Sequence, residues 1–133
     1  ARFSSAFIRR GLVPDAGGPF FLPRLLGTAR ALELMYTGDV IGAQEAERIG
    51  LVNRVVAATD LMTATLELAS RIASGPPIAL ALTKRIVYQW LEQDLLTQVE
   101  DEAYNQRLCR ETEDFKEGIE SFVEKRAPKF KGR

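Results

Sequence analysis

Ala6-Phe7-Ile8-Arg9-Arg10-Gly11-Leu12-Val13-Pro14-Asp15-Ala16-Gly17-Gly18 sets the terms on which the rest of this chain is read. Asp15 is the only acid before Glu33, and it stands among Arg2, Arg9, Arg10, Arg24 and Arg30. Pro14 fixes its own φ and removes a backbone donor, while Gly17 and Gly18 permit close backbone approach. The apolar run from Phe20 reads as a helix, which places Asp15 on a rigid turn at a helix entrance. Two roles fit that position. A Pro-Asp-x-Gly turn suits a helix-capping aspartate, and an acid framed this closely also suits a catalytic carboxylate.

Composition narrows the chemistry around that turn. The chain has 133 residues, 46% of them apolar, which is material for one core of ordinary size. Eighteen bases balance eighteen acids, whereas a nucleic-acid binder normally carries a basic excess on one face, so no nucleic-acid partner is expected. The apolar stretches fall short of the ~20 residues a membrane helix needs, and no secretory signal is visible. No membrane partner is expected, therefore, and the cytoplasm is the expected location. The single Cys109 cannot form an internal disulfide, in keeping with a reducing compartment. There is no histidine, which removes the commonest metal ligand and the usual Ser-His and Cys-His nucleophiles. No metal and no resident cofactor are expected. The chemistry must come from a carboxylate, backbone dipoles or hydroxyls.

Beyond the turn, the pattern is mostly helical. Phe20, Phe21, Leu25 and Leu26 give one apolar face that ends at Gly27. Thr28 then caps a second helix that Gly38 closes. A short helix follows from Ile41 to Gly50, and Leu51 to Val56 reads as a strand. Asp60 caps a helix from Leu61 to Ser74, and Gly75-Pro76-Pro77 breaks the chain. Ile78 to Trp90 is apolar on several sides and reads as a largely buried helix. Asp94 caps the next helix, with Leu95, Val99 and Ala103 inside it. Asp114 and Glu117 have capping-box spacing ahead of Ile119, Phe122 and Val123. No linker divides the chain. From Glu92 to Glu120 there are ten acids against three bases, and the last nine residues carry five bases and no acid. The acidic run reads as a solvated helix face.

Phe7-Ile8-x-x-Gly11-Leu12-Val13-Pro14-Asp15-Ala16-Gly17-Gly18 followed by Leu22-Pro23-Arg24-Leu25-Leu26-Gly27 resembles the enoyl-CoA hydratase/isomerase, or crotonase, family. The similarity continues through Ala31-x-Glu33-Leu34, Thr37-Gly38, Ala43-x-Glu45-Ala46 and Gly50-Leu51-Val52-Asn53-Arg54-Val55-Val56. It ends in Glu117-Gly118-Ile119-x-x-Phe122-x-x-Lys125-Arg126-x-Pro128-x-Phe130. The ordered set covers essentially all 133 residues.

The resemblance implies the fold class: mainly α as it stands, the C-terminal half of an α/β crotonase-like fold, with short strands near residues 1–4 and 51–56. Residues 1–133 would form the C-terminal part of one domain, 1–75 ending its core spiral and 76–133 forming a helical association region. It implies an acyl-CoA substrate, with coenzyme A entering as part of that substrate, and a homo-oligomer, trimer or hexamer.

The family's site residues carry over position by position. Hydratases place a glutamate four residues before the Gly of Gly-x-x-Pro, and here that position is Phe7. Isomerases place an acid directly after that Pro, and here it is Asp15. The match therefore implies a proton shuttled between carbons with a thioester enolate intermediate, and it is nearest the phenylacetate-pathway (epoxyphenylacetyl-CoA isomerase-like) branch. Leu12 and Gly17 belong to the substrate site with Phe7, Phe122 would wall the adenine, and Lys125 would meet the coenzyme A phosphates. Both backbone oxyanion donors belong to the family's first half. A base of this kind works at neutral pH when desolvated, and Phe7, Leu12, Phe20 and Phe21 could supply its apolar wall, although plain core packing is the expected role of Phe20 and Phe21 and Phe7 is the better pocket candidate. Enoyl-CoA hydration, a fold-retaining member without activity and a helical association module remain as alternatives.

Overall fold

The computed structural model describes residues 1–89 and 91–133. The described chain falls into two compact units, Ala1–Leu61 and Met62–Arg133.

In the first unit, β1 (Arg2–Phe3) pairs antiparallel with β2 (Ile41–Gly42), Arg2 opposite Gly42 and Phe3 opposite Ile41. A 3-10 turn over Ala6–Arg10 leads through the Pro-Asp segment into α1 (Gly18–Leu26). Helix α2 (Thr28–Thr37) packs against α1 and the 3-10 turn. Its N-cap is Gly27, with Thr28 as first helical residue and no side-chain cap bond, which corrects the expected Thr28 cap. Gly38 closes α2 in the left-handed region at φ 61°, donating its N–H to the Leu34 carbonyl, the conformation a helix C-terminus reserves for glycine. The short helix α3 (Ala43–Arg48) follows β2. The buried apolar side chains are Ala31 and Met35 of α2, Ala46 of α3, and Ile49.

The strand expected over residues 51–56 does not form. The Leu51 and Val52 N–H groups both donate to the Ala46 carbonyl, and the Val55 N–H donates to Glu47 Oε1. These local bonds fold the segment back over α3, and β2 lies earlier, at Ile41–Gly42.

In the second unit, α4 (Leu61–Ala73, its first residue belonging to the preceding unit) follows a 3-10 turn over Ala58–Asp60. Helix α5 (Pro77–Gln89) packs against α6 (Leu95–Arg110), and α6 against α7 (Glu113–Val123). Asp94 caps α6 as expected, accepting the Thr97 N–H at 3.0 Å. Helix α5 buries none of its described residues, contrary to expectation. The described residues that are fully buried in this unit are polar: Asn105, Asp114 and Ser121. Its apolar side chains stay partly or wholly exposed, among them Val87, Tyr88, Leu95, Ile119 and Val123. Trp90, the last residue of the helix expected from Ile78, lies outside the described residues.

Candidate active site

Asp15 opens a tight turn. Its carbonyl accepts the Gly18 N–H at 2.9 Å, and the two residues between them, Ala16 at φ 51° and Gly17 at φ 79°, are both left-handed. That is the dihedral pattern of a type I′ turn, in which a residue with a Cβ costs about 1–2 kcal/mol at each left-handed position. Glycine is required at 17 for a second reason, since a Cβ there would stand 2.9 Å from the Phe21 ring. The Gly17 carbonyl in turn accepts the Phe20 and Phe21 N–H groups and starts α1.

The turn settles one of the two roles open to Asp15. The N-cap of α1 is Gly17, and no side chain caps that helix. Among the described residues the Asp15 carboxylate has neither a hydrogen bond nor an ion-pair partner, and it is exposed. Two of the arginines around it in sequence are engaged elsewhere. Arg9 pairs with Asp39 at 3.2 Å, and Arg24 stacks on Phe20 at 3.6 Å while donating to its carbonyl at 2.8 Å. The capping alternative is thereby removed, because a cap must accept a helix N–H.

Phe7, Leu12 and Gly17 lie on the same continuous segment as Asp15. Phe7 sits half-buried inside the 3-10 turn, and its carbonyl accepts the Leu12 N–H at 3.2 Å. Leu12 is exposed. Phe20 and Phe21 meet edge to face at 5.0 Å and both remain exposed, so core packing within this chain is not their role.

Phe122 and Lys125 belong to the other unit, at the end of α7. Lys125 takes φ 55°, donating its N–H to the Phe122 carbonyl at 3.3 Å, while the Arg126 N–H reaches the Ser121 carbonyl at 3.0 Å. This pair of bonds is a Schellman motif, and Lys125 occupies the position where glycine is usual. Phe122 is 83% exposed. The Lys125 ammonium has no hydrogen-bond or ion-pair partner among the described residues.

Sequence reasoning missed what surrounds that lysine. The expected capping box at Asp114–Glu117 does not exist, because Thr112 caps α7 through the Phe115 N–H at 3.0 Å. Asp114 lies inside the helix, buried, and its carboxylate accepts the Lys131 and Gly132 N–H groups at 2.6 and 2.8 Å. Glu117 accepts both arms of the Arg126 guanidinium at 2.6 and 3.0 Å and the Lys129 N–H at 2.7 Å. Glu124 takes the Arg126 Nε–H. The Arg126 fork and the Lys129 N–H hold the Glu117 carboxyl down at about 2, far below its ordinary value of 4.5. Arg126 is correspondingly raised by Glu117 and Glu124. The C-terminal tail is thus pinned along α7, and Phe130 lines a cleft of about 240 Å³ with Pro76, Ile78, Cys109 and Phe115. The alternation of acids in α7 with bases in the tail was the available signal, but pairing across nine to eighteen residues has no periodicity to betray it.

Among the described residues no three potential ligands gather as a metal site, and no helix is long and apolar enough to cross a membrane.

The family profile described as enoyl-CoA hydratase/isomerase matches residues 1–133. A probable enoyl-CoA hydratase of Rhodobacter capsulatus is 41% identical over 133 residues, covering 100% of this chain and 52% of the relative. The 1,2-epoxyphenylacetyl-CoA isomerase of Escherichia coli K12 is 36% identical, with 100% of this chain and 51% of the relative covered. The crystal structure of an enoyl-CoA hydratase from Bacillus anthracis superposes with a TM-score of 0.94 at 40% identity, over 100% of this chain and 52% of that one. The chain therefore spans about half the length of the curated relatives it matches, and its mostly helical fold is that of the corresponding part of these enzymes.

Proposed function

Since the chain belongs to the enoyl-CoA hydratase/isomerase family, we propose that the whole protein acts on an acyl-CoA and shifts a carbon–carbon double bond, with Asp15 carrying the proton. One observation carries the choice of Asp15. Its carboxylate stands on a strained turn with no capping bond and no ion pair among the described residues. A left-handed alanine beside an acid without structural employment supports a functional role for that acid.

In this reading two backbone N–H groups from the other half of the domain hold the thioester oxygen. Asp15 takes a proton from one carbon of the acyl chain. The electrons move to the thioester oxygen as an enolate, and the protonated Asp15 returns the proton to a different carbon as the double bond shifts. Phe7 supplies apolar surface where a hydratase would carry a second acid, and a single carboxylate suits proton relocation better than addition of water. The phenylacetate branch fits the same pair of residues, and its isomerase is among the relatives. Phe122 and Lys125 hold the nucleotide end of coenzyme A. The working form is a trimer or hexamer in the cytoplasm, its contacts drawn from the exposed apolar faces of α5 to α7.

Hydration is the second reading, favoured because hydratase is the commoner name among the relatives. Product analysis separates the two. The full-length protein given a 3-enoyl-CoA and, separately, a 2-enoyl-CoA is expected to interconvert them faster than it forms any 3-hydroxyacyl-CoA. Hydroxyacyl-CoA as the dominant product overturns the isomerase reading.

A further inference from the structure

Two bases stand side by side at the end of α7, and their surroundings differ completely. Arg126 is held by three charge-assisted bonds, two to Glu117 and one to Glu124. Its side chain is 37% exposed and that of Glu117 21% exposed, so the pair is partly withdrawn from water. Lys125 is exposed, has no partner among the described residues and lies at φ 55°. A lysine in a left-handed C-terminal cap carries a steric cost that glycine avoids, so further contacts help to hold it there. In the usual Schellman motif an apolar contact between the residue after the cap and the last turn fixes the geometry. Here the residues at those two places are Arg126 and Ser121, and the Arg126 fork replaces that contact.

We propose that Arg126, locked by Glu117 and Glu124, is a positioning residue that holds Lys125 in its left-handed conformation with the ammonium free for a phosphate. The two adjacent bases thereby divide the work: Arg126 binds the protein and Lys125 binds the ligand. This rests on the reading of Lys125 as a ligand for the coenzyme A phosphates. Arginine suits the lock because its planar fork takes a carboxylate two-handed, whereas lysine offers a single point charge. Four of the five Arg126 N–H donors are already engaged within the protein, the fourth by the Ala127 carbonyl, which Nη1 reaches at 3.4 Å.

The test uses the full-length protein and two probes, a saturated acyl-CoA and the matching acyl-pantetheine, which lacks the nucleotide phosphates. Arg126→Lys keeps the charge and loses the fork. It is expected to weaken acyl-CoA binding about tenfold, the scale of one charge-assisted contact, and to leave acyl-pantetheine binding unchanged. Lys125→Gly is expected to give the same selective loss, and the double variant to bind no worse than either single one. Where circular dichroism shows Arg126→Lys unfolded, Glu117→Gln, which opens the same lock from the other side, is expected to reproduce the selective loss. Equal weakening of both probes makes the lock merely structural and overturns the proposal. Wild-type acyl-CoA binding by folded Arg126→Lys beside a weakened Lys125→Gly overturns it too, as does an additive loss in the double variant. A Lys125→Gly protein with unchanged acyl-CoA affinity overturns instead the reading of Lys125 on which the proposal rests.

Discussion

Ala16 and Gly17 decide what Asp15 can be. Left-handed φ at both residues carries the chain into α1 with the backbone of Gly17, and not the carboxylate of Asp15, at the helix cap. Gly17→Ala is expected to destabilise the full-length protein by about 1–2 kcal/mol, the cost of a Cβ in that region, with a kcat that falls as the turn shifts. Denaturant unfolding beside a rate assay checks both. Phe7→Glu makes the opposite kind of change, since it adds an acid where hydratases have one. The ratio of hydrated to isomerised product is expected to rise, at a cost in stability for placing charge on a half-buried position. A ratio that stays at the wild-type value would show that position 7 does not distinguish the two reactions.

At the scale of elements, the C-terminal tail is held by carboxylates rather than by apolar packing alone. Glu117 titrates at about 2 in the folded protein against 4.5 ordinarily. A depressed carboxyl contributes stability that is complete above its unfolded value and disappears as pH falls through the folded one. Thermal stability is therefore expected to drop as pH falls from about 4.5 toward 2, and Glu117→Gln is expected to flatten that slope while lowering stability at pH 7. Equal slopes in the two proteins would remove Glu117 from the acid response. Asp114→Ala strands two tail N–H groups. It is expected to cost about 1–3 kcal/mol and to open the segment after Phe122 to limited proteolysis.

Local signals were legible in the sequence and distant ones were not. Apolar periodicity, Gly38 and Asp94 located α2 and α6 because a helix and its caps are written within a few residues. Asp114 and Glu117 were misplaced for the converse reason: a capping box and a pair of tail anchors use the same residue types at the same spacing. The 51–56 strand failed because β-branched residues favour extended backbone without supplying a partner, and α3 took the backbone donors. Helix α5 was read as buried from its composition, yet burial depends on what packs against it, and this chain offers it α6. At the site, Asp15 was legible as a framed acid. Its freedom from capping was not, because dihedrals decided it.

The chain as a whole buries few apolar side chains for its length, four among the described residues. The curated relatives it matches are about twice its length. By itself the 133-residue chain is expected not to turn over enoyl-CoA substrates. Removal of one oxyanion donor costs about 10²–10³ in rate, and the family resemblance puts both outside this segment. Turnover by the isolated chain comparable with full-length relatives would contradict this. The exposed Val87, Tyr88, Leu95 and Ile119 lead to the further expectation that the full-length protein sediments as a trimer or hexamer, and a monodisperse monomer at micromolar concentration would contradict it. Asp15→Asn in the full-length protein is the most direct measurement of all. The amide keeps the shape and removes the proton acceptor, so isomerisation is expected to fall by about 10²–10⁴ with acyl-CoA affinity unchanged. A variant that isomerises at the wild-type rate would end the assignment of Asp15 as the proton carrier.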